Sequence, residues 1–241
     1  MKRLNKSALA ALIGLLFLLV AGTWKLSNAR SFQLFGDLVH RVDTSEKVVA
    51  LTFDDGPTPA FTREMLKVLK DKGVVATFYL NGKEAAVSGA SVKAIYTDSH
   101  EIGNHSFNHK RLVFMASDDI KSEVERGELA IRSAGYTGPL TFRPPHGKKL
   151  VYLPYYLDSR GITTVMWDVE PEKSDEIGRD AGKMVRLVGE QVRPGSIVLM
   201  HLMYQARSPS RQALPGVIDE LRKQGYRFVT VSELLKLRKP A

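Results

Sequence analysis

The feature that most constrains this chain is a β-type run, Val48–Phe53, that leads directly into two adjacent carboxylates, Asp54 and Asp55. Gly56-Pro57 then ends the strand with turn chemistry. Two neighbouring carboxylates at the mouth of a buried strand repel each other and lose hydration, so they need a compensating metal ion or arginine. Alternatively, the aspartates cap the next helix by accepting hydrogen bonds from its free N–H groups. The dipeptide alone leaves both interpretations open.

The N-terminal segment has the layout of an export signal or a single membrane anchor. Basic residues precede an apolar run at residues 8–24, and a weak small-x-small cleavage site follows at residues 27–29. The run is slightly shorter than the ~20 residues of a comfortable membrane span. Either fate predicts that the rest of the chain is exported to the periplasmic or extracellular face, and an uncleaved segment would anchor it to the cytoplasmic membrane.

Composition narrows the choice of metal ligands and partners. The 241 residues contain no cysteine, so any metal site must use His, Asp or Glu. The formal net charge is +9, and four of the basic residues lie among the first 25 residues, which contain no acid, leaving +5 for the remainder. Because that remainder is scattered, we expect no nucleic-acid partner. Attraction to an anionic wall polymer or membrane surface and ordinary solubilising charge both remain open.

Short β-type runs alternate with helical segments from Val48 onward. The predicted strands are Val48–Phe53, Ala76–Leu80, Glu101–Gly103, Leu140–Arg143, Thr163–Trp167, Ser196–Met200 and Arg227–Thr230. The predicted helices are Thr62–Lys72, Ser91–Ser99, Ser117–Ala134, Leu150–Ser159, Asp175–Gln191, Ser210–Gln224 and Val231–Leu237. This alternation predicts an α/β fold with a parallel sheet covered by helices. Because the series has no linker, we expect one barrel-like domain of about seven strands, preceded by an N-terminal hydrophobic helix.

Polar residues recur where the predicted strands end. In chain order they are Asp54 and Asp55, His105 and His109, Arg143, Asp168 and Glu170, and His201. The carboxyl ends of parallel strands meet at one rim, where active sites of such folds lie. We therefore expect these side chains to share one site.

His105 and His109 are four residues apart, so on a helical turn both rings would project from one face. Two solvated histidines on a surface helix are the simpler alternative. With an aspartate from another strand, the pair predicts a two-histidine, one-carboxylate metal site with open positions, which suits zinc without excluding iron, cobalt or manganese. His100 lies off this face, and we interpret it as structural. A second aspartate as base, Arg143 beside it and His201 as proton donor would complete a metal-assisted acyl hydrolase.

These residues together resemble the polysaccharide deacetylases, carbohydrate esterase family 4, whose domain is shared with nodulation-factor and chitin deacetylases. The resemblance covers residues 48–237. Four stretches carry it: Thr52-Phe53-Asp54-Asp55-Gly56-Pro57, His105-Ser106-Phe107-Asn108-His109, Arg143-Pro144-Pro145-His146-Gly147 and Leu199-Met200-His201. The first two, in this order and at this separation, are highly specific. The family implies a distorted (β/α) barrel with fewer than eight strands.

The resemblance also implies a role for each matching residue. One divalent metal ion would be held by Asp55, His105 and His109, with zinc as the first choice and cobalt, manganese, iron or nickel as alternatives. Asp54 would be the base for a metal-activated water, and His201 would be the acid.

The third and fourth motifs supply the remaining expectations. Arg143 would orient the base, and the backbone N–H of His146 would stabilise the oxyanion. The predicted substrate-binding residues are Pro145, His146, Gly147, Trp167, Asp168 and Glu170.

Three departures from the family pattern bear on substrate choice. His146 stands where the family usually has tyrosine, and the histidine adds a titratable ring to the pocket. The Asp-Trp that usually ends the fourth motif, whose Asp tunes the catalytic histidine, is missing after Trp167, so Asp168 or Glu170 is expected to take over. Residues 202–204, Leu-Met-Tyr, replace the common acidic continuation, and we expect apolar or aromatic contacts there.

The sequence therefore leaves three functions open. The first is a metal-dependent hydrolase that removes N-acetyl groups from an envelope amino-sugar polymer such as peptidoglycan. The second is a deacylase that removes another small acyl group, such as formyl, from a lipid-linked or modified sugar. The third is a non-catalytic glycan-binding module of the envelope. The corresponding domain prediction is a signal peptide or membrane anchor at residues 1–29, a connector at 30–46 and the polysaccharide deacetylase catalytic domain at 47–241.

Overall fold

The computed structural model describes residues 6–238. The helices are α1 (Lys6–Asn28), α2 (Pro59–Asp71), α3 (Gly82–Val87), α4 (Gly89–Thr97), α5 (Ser117–Ser133), α6 (Tyr152–Ser159), α7 (Asp175–Gly178), α8 (Ala181–Gln191), α9 (Ser208–Lys223) and α10 (Val231–Leu235). The strands are β1 (Leu38–Val39), β2 (Val48–Asp54), β3 (Thr77–Leu80), β4 (Glu101–Asn104), β5 (Thr164–Val165), β6 (Ser196–His201) and β7 (Arg227–Phe228). Short 3-10 turns lie at Pro145–Gly147 and Gln205–Arg207.

β2 is the central strand of a parallel sheet in the order β4-β3-β2-β6, and β7 pairs with the start of β2. β1 and β5 form a separate parallel pair. Single bridges join the two sheets: Phe142 bridges Asn104 and Thr164, and Val169 bridges Val198. The predicted parallel α/β fold is therefore confirmed. The described ladders are two sheets joined by single bridges, so a continuous seven-stranded barrel stays a prediction.

Several predicted elements are shorter or divided. Leu140–Arg143 contributes only the bridges of Phe142, because prolines at 139, 144 and 145 lack the N–H groups that a ladder needs. The helix predicted at Asp175–Gln191 is broken into α7 and α8, since Asp180 accepts a hydrogen bond from the Lys183 N–H and starts a new helix. The helix predicted at Ser91–Ser99 is preceded by the separate α3. β1 lies inside the stretch predicted as a connector.

The alternation of side chains along β2 decides where its carboxylates point. All seven residues of β2 are buried. Val49, Leu51 and Phe53 pack with apolar residues of α2, α8 and α9. Val48 and Ala50 pack in a second cluster between the sheets. Because side chains alternate with a period of two, Asp54 lies on the face of Val48 and Ala50, inside the space between the sheets.

The N-terminal segment adopts a helix, α1. Among residues 6–238, no helix has the length and apolar character that crossing a membrane requires. The signal or anchor function of this segment stays a prediction.

Burial of β2 yields a stability test. Leu51 is 0% exposed, whereas Leu129 on α5 is 65% exposed. We expect Leu51→Ala to lower the free energy of unfolding by about 2–5 kcal/mol, because it removes transfer energy and leaves a cavity. The matched control Leu129→Ala should change it by less than about 0.5 kcal/mol. Urea unfolding of both variants measures the difference, and equal losses would contradict the central position of β2.

Candidate active site and metal centre

Asp54 is held by a fully buried arginine. Its Oδ1 accepts a hydrogen bond from Arg143 Nη1 at 2.7 Å, and the same nitrogen donates to Thr52 Oγ1 at 2.7 Å. The remaining guanidinium donors bind the carbonyl oxygens of Val165 and Met166 at 3.2 and 3.1 Å. Arg143 is 0% exposed and Asp54 is 2% exposed. A buried guanidinium needs a carboxylate partner, so the pair fixes the orientation of Asp54.

Asp55 turns away from its neighbour. Its backbone φ is 78°, in the left-handed region, and its N–H donates to Tyr79 O at 3.1 Å. Asn81 Nδ2 donates to Asp55 Oδ1 at 3.3 Å. Gly56 also has a positive φ, and a Cβ there would lie 2.8 Å from Met203 Cβ. The Asp-Asp-Gly sequence therefore lets two adjacent carboxylates meet different partners.

His105 and His109 come together, but not on a helical turn as predicted. Residues 105–109 form an irregular loop after β4, in which Ser106 and His109 have positive φ values, and the two rings lie 4.9 Å apart. The buried Glu123 of α5 fixes this loop by accepting hydrogen bonds from the N–H and Nδ2 of Asn108, both at 2.7 Å. Ser106 Oγ accepts a hydrogen bond from the His109 N–H at 3.1 Å. Loop hydrogen bonds, and not helical spacing, bring the rings to one place.

Asp55, His105 and His109 have donor atoms that all lie within 4.8 Å of one another. His105 Nδ1 donates to Arg143 O at 2.7 Å, which leaves Nε2 as an acceptor. Burial lowers the pKa of His105 to about 3, so the ring is neutral at neutral pH, as a metal ligand must be. Two imidazoles and one carboxylate suit a divalent transition metal and leave positions open. The donor set therefore fits the predicted metal without fixing its identity.

His201 is oriented by Glu172, which the sequence analysis did not identify. Glu172 Oε2 accepts a hydrogen bond from His201 Nδ1 at 2.6 Å, and Oε1 accepts one from the His201 N–H at 2.9 Å. Burial alone would lower the pKa of His201, but the hydrogen bond and charge of Glu172, with the charges of Asp54 and Asp55, outweigh it and raise the pKa above its usual value.

The two carboxylates expected to tune His201 have other partners. Asp168 accepts hydrogen bonds from Ser196 Oγ at 2.8 Å and the Ile197 N–H at 2.9 Å, so it anchors the start of β6 and lies away from the pocket. Glu170 Oε2 accepts one from Trp167 Nε1 at 2.9 Å. The expectation that Asp168 or Glu170 replaces the missing aspartate is therefore wrong. The only sequence signal for Glu172 was its place in the same loop.

The third motif contributes one ring to the pocket. His146 has φ 57°, and its ring packs edge-on against His109 at 4.5 Å. Burial, followed by the nearby charges of His109 and Arg111, lowers the pKa of His146. Pro145 and Gly147 are buried, and a Cβ on Gly147 would lie 3.1 Å from Trp167. Neither residue lines the pocket, and their contact with substrate stays a prediction.

One pocket of about 390 Å³ joins these groups. It is lined by Arg30, Asp54, Asp55, His105, His109, His146, Trp167, Glu170, Leu199, His201 and Arg207. The apolar or aromatic contacts expected from residues 202–204 do not line this pocket: Leu202 and Met203 are buried in the main core, and the Tyr204 hydroxyl contacts Asn81 and Glu84. His100 is structural as predicted, since its buried Nδ1 accepts a hydrogen bond from the Ala76 N–H at 3.2 Å.

The ligand assignment can be tested with two buried histidines. We expect the purified chain to bind one divalent ion, and His105→Ala to weaken that binding by more than the about 10–100-fold that loss of an outer-shell partner causes. His100→Ala should keep the affinity while losing about 1–3 kcal/mol of stability with its buried hydrogen bond. Calorimetric titration with zinc measures the metal affinity of both variants. Equal affinity in wild type and His105→Ala would show that the ion binds elsewhere.

Comparison with known proteins identifies the family. The family model for polysaccharide deacetylase matches residues 41–165. A peptidoglycan-N-acetylglucosamine deacetylase of Bacillus cereus is 34% identical over 203 residues, covering 84% of this chain and 95% of that protein. The peptidoglycan-N-acetylmuramic acid deacetylase PdaC of Bacillus subtilis is 32% identical over 198 residues, covering 82% of this chain but 41% of that protein.

Solved structures give the same result. The Bc1960 peptidoglycan N-acetylglucosamine deacetylase has a TM-score of 0.77 and 30% identity, covering 82% of this chain and 92% of that chain. BA3943, a CE4 family pseudoenzyme from Bacillus anthracis, has a TM-score of 0.76 and 27% identity, covering 86% of this chain and 72% of that chain. The motifs, the fold and these similarities agree, and the chain belongs to the polysaccharide deacetylase family of hydrolases.

Proposed function

We propose that this protein is a metal-dependent hydrolase that removes N-acetyl groups from an amino-sugar polymer of the cell envelope. The observation that carries the proposal is the meeting of a metal-ligand set, an arginine-held carboxylate and a carboxylate-held histidine around one pocket. The names of its relatives, which act on peptidoglycan, support the same substrate class. Action on such a polymer places the protein outside the cytoplasm, in keeping with the predicted export segment.

The metal would be held by Asp55, His105 and His109. When bound, it supplies a Lewis acid that activates water and polarises the amide carbonyl. Zinc suits this donor set, with cobalt, manganese, iron and nickel as alternatives.

Asp54 is assigned as the general base. Arg143 occupies Oδ1, while Oδ2 lies 3.6 Å from His105 Nε2 at the edge of the metal-ligand set. This oxygen is therefore placed to take the proton from the attacking water. Arg143 acts through Asp54, because it is buried behind the carboxylate and does not line the pocket.

His201 is assigned as the general acid. Its Nδ1 is bonded to Glu172, so the other ring nitrogen is the one available to the substrate. The raised pKa of His201 favours the protonated ring, and this nitrogen can then donate its proton to the departing amine. We assign the backbone N–H of His146 to the oxyanion, and Trp167 and Glu170 to the wall of the substrate pocket.

The activity can be tested by the acid released. We expect the metal-loaded protein to release acetate from peptidoglycan or chito-oligosaccharides, and chelator to abolish the release. Asp54→Asn should lower turnover by about 10²–10⁴-fold, the usual contribution of a general base, while keeping metal binding. The exposed control Asp43→Asn should keep full activity.

Each alternative function has its own outcome in this assay. Formate from a formamido sugar, without acetate from any substrate, would replace the proposal with the deacylase of a modified sugar. If the protein binds one metal but releases no acid from any substrate, a glycan-binding module would be favoured. BA3943, a pseudoenzyme with a similar fold, is a precedent for such a protein.

The role of Glu172 predicts a change in pH dependence. Glu172→Gln removes the charge that opposes the effect of burial on His201, so the pKa of His201 should fall. Because the acid works only when protonated, the alkaline limb of the kcat profile should move to lower pH. Glu176→Gln, an exposed control, should leave the limb unchanged. An unmoved limb in Glu172→Gln would mean that another group is the acid.

A further inference from the structure

The segment that ends α1 is docked against the rim of the active site. The Lys149 N–H donates to Ser27 O at 3.2 Å, and Lys149 Nζ donates to Ala29 O. Lys148 Nζ donates to Asn28 Oδ1 and lies 4.1 Å from the centroid of the Trp24 ring. Ser27 and Lys149 are both buried. These contacts hold the segment next to the loop of His146 without any help from Arg30.

Arg30 extends from this segment into the pocket. Its Nη2 donates to Glu170 Oε2 at 2.6 Å, and its guanidinium carbon lies 4.8 Å from the centroid of the Trp167 ring. The side chain is 46% exposed, so about half of it faces open space. A guanidinium has five N–H donors, and the bond to Glu170 is the one that the described residues give it. Arg30 therefore presents unused donors to a substrate.

A second guanidinium lines the same pocket. Arg207 is 42% exposed and lies 3.7 Å from Glu172. Of the pocket carboxylates, Asp54 is held by Arg143 and Glu170 by Arg30, while Asp55 belongs to the metal-ligand set. A ligand carboxylate that enters the pocket can therefore meet two exposed guanidinium groups.

We propose, building on the deacetylase function above, that Arg30 recognises a carboxylate on the sugar chain, and that the preferred substrate is an acidic amino sugar of the muramic acid type. N-acetylmuramic acid differs from N-acetylglucosamine by a carboxylate-bearing ether. The exposed donors of Arg30 match that group, since a guanidinium binds a carboxylate with two parallel hydrogen bonds. Arg30 is thus a specificity-determining residue that lies before the part of the chain matched by the family model.

Binding to the metal-free protein tests this proposal without requiring turnover. The probes are an N-acetylglucosamine–N-acetylmuramic acid disaccharide and the same disaccharide with its carboxylate converted to the methyl amide. Calorimetry should show that the wild-type protein binds the acid at least about tenfold more tightly than the amide, as expected for a charge-assisted pair. Arg30→Gln should bring the ratio close to one, and Arg30→Lys should keep part of it.

Arg227→Gln is the matched control, because Arg227 is also an exposed arginine paired with a glutamate, Glu46 at 3.1 Å. It should keep the wild-type ratio, and thermal unfolding should show that all variants fold. An unchanged ratio in Arg30→Gln would overturn the proposal, as would wild type that binds acid and amide equally or binds neither. Failure of the deacetylase function has a different signature, the absence of acetate from the metal-loaded enzyme, and leaves this binding difference intact.

Discussion

The buried ion pair between Arg143 and Asp54 is the interaction on which the rest of the site depends. Both groups lie in the space between the sheets, where an unpaired charge would cost several kcal/mol. The arginine also holds β2 to the strand-like segment at Val165 and Met166 through its hydrogen bonds to their carbonyl oxygens. Its own carbonyl accepts from His105 and sets the tautomer of that ring. The side chain and backbone of Arg143 thus connect Asp54, the loop of His105 and the sheet.

The pair also explains how the adjacent Asp54 and Asp55 meet different partners. Asp54 continues the alternation of β2 and meets Arg143, whereas Asp55 adopts a left-handed backbone and faces the two histidines. His201, the proposed acid, lies at the end of the neighbouring strand β6, in register with Asp54. One pocket therefore contains three chemically distinct groups: a carboxylate with an arginine partner, a carboxylate without one, and a histidine bonded to Glu172.

Much of this arrangement was predictable from sequence, because it follows from strand periodicity and from the rule that parallel strands end on one rim. These two rules alone predict that Asp54, His105 and His201 lie together. The helical turn predicted for the histidines was wrong because the loop is fixed by Glu123, more than ten residues away in the chain. Glu172 and Arg30 were missed for the same reason: their partners are 29 and 140 residues distant, and no local pattern marks such contacts.

We propose that Asp55 holds a metal while Asp54 stays with Arg143 as the base. Anomalous diffraction at the zinc edge, from crystals of the protein loaded with one equivalent of zinc, distinguishes these two roles. We expect one anomalous peak within bonding distance of Asp55, His105 and His109, with the Asp54–Arg143 hydrogen bond retained. A peak coordinated by Asp54, or one away from the two histidines, would contradict it.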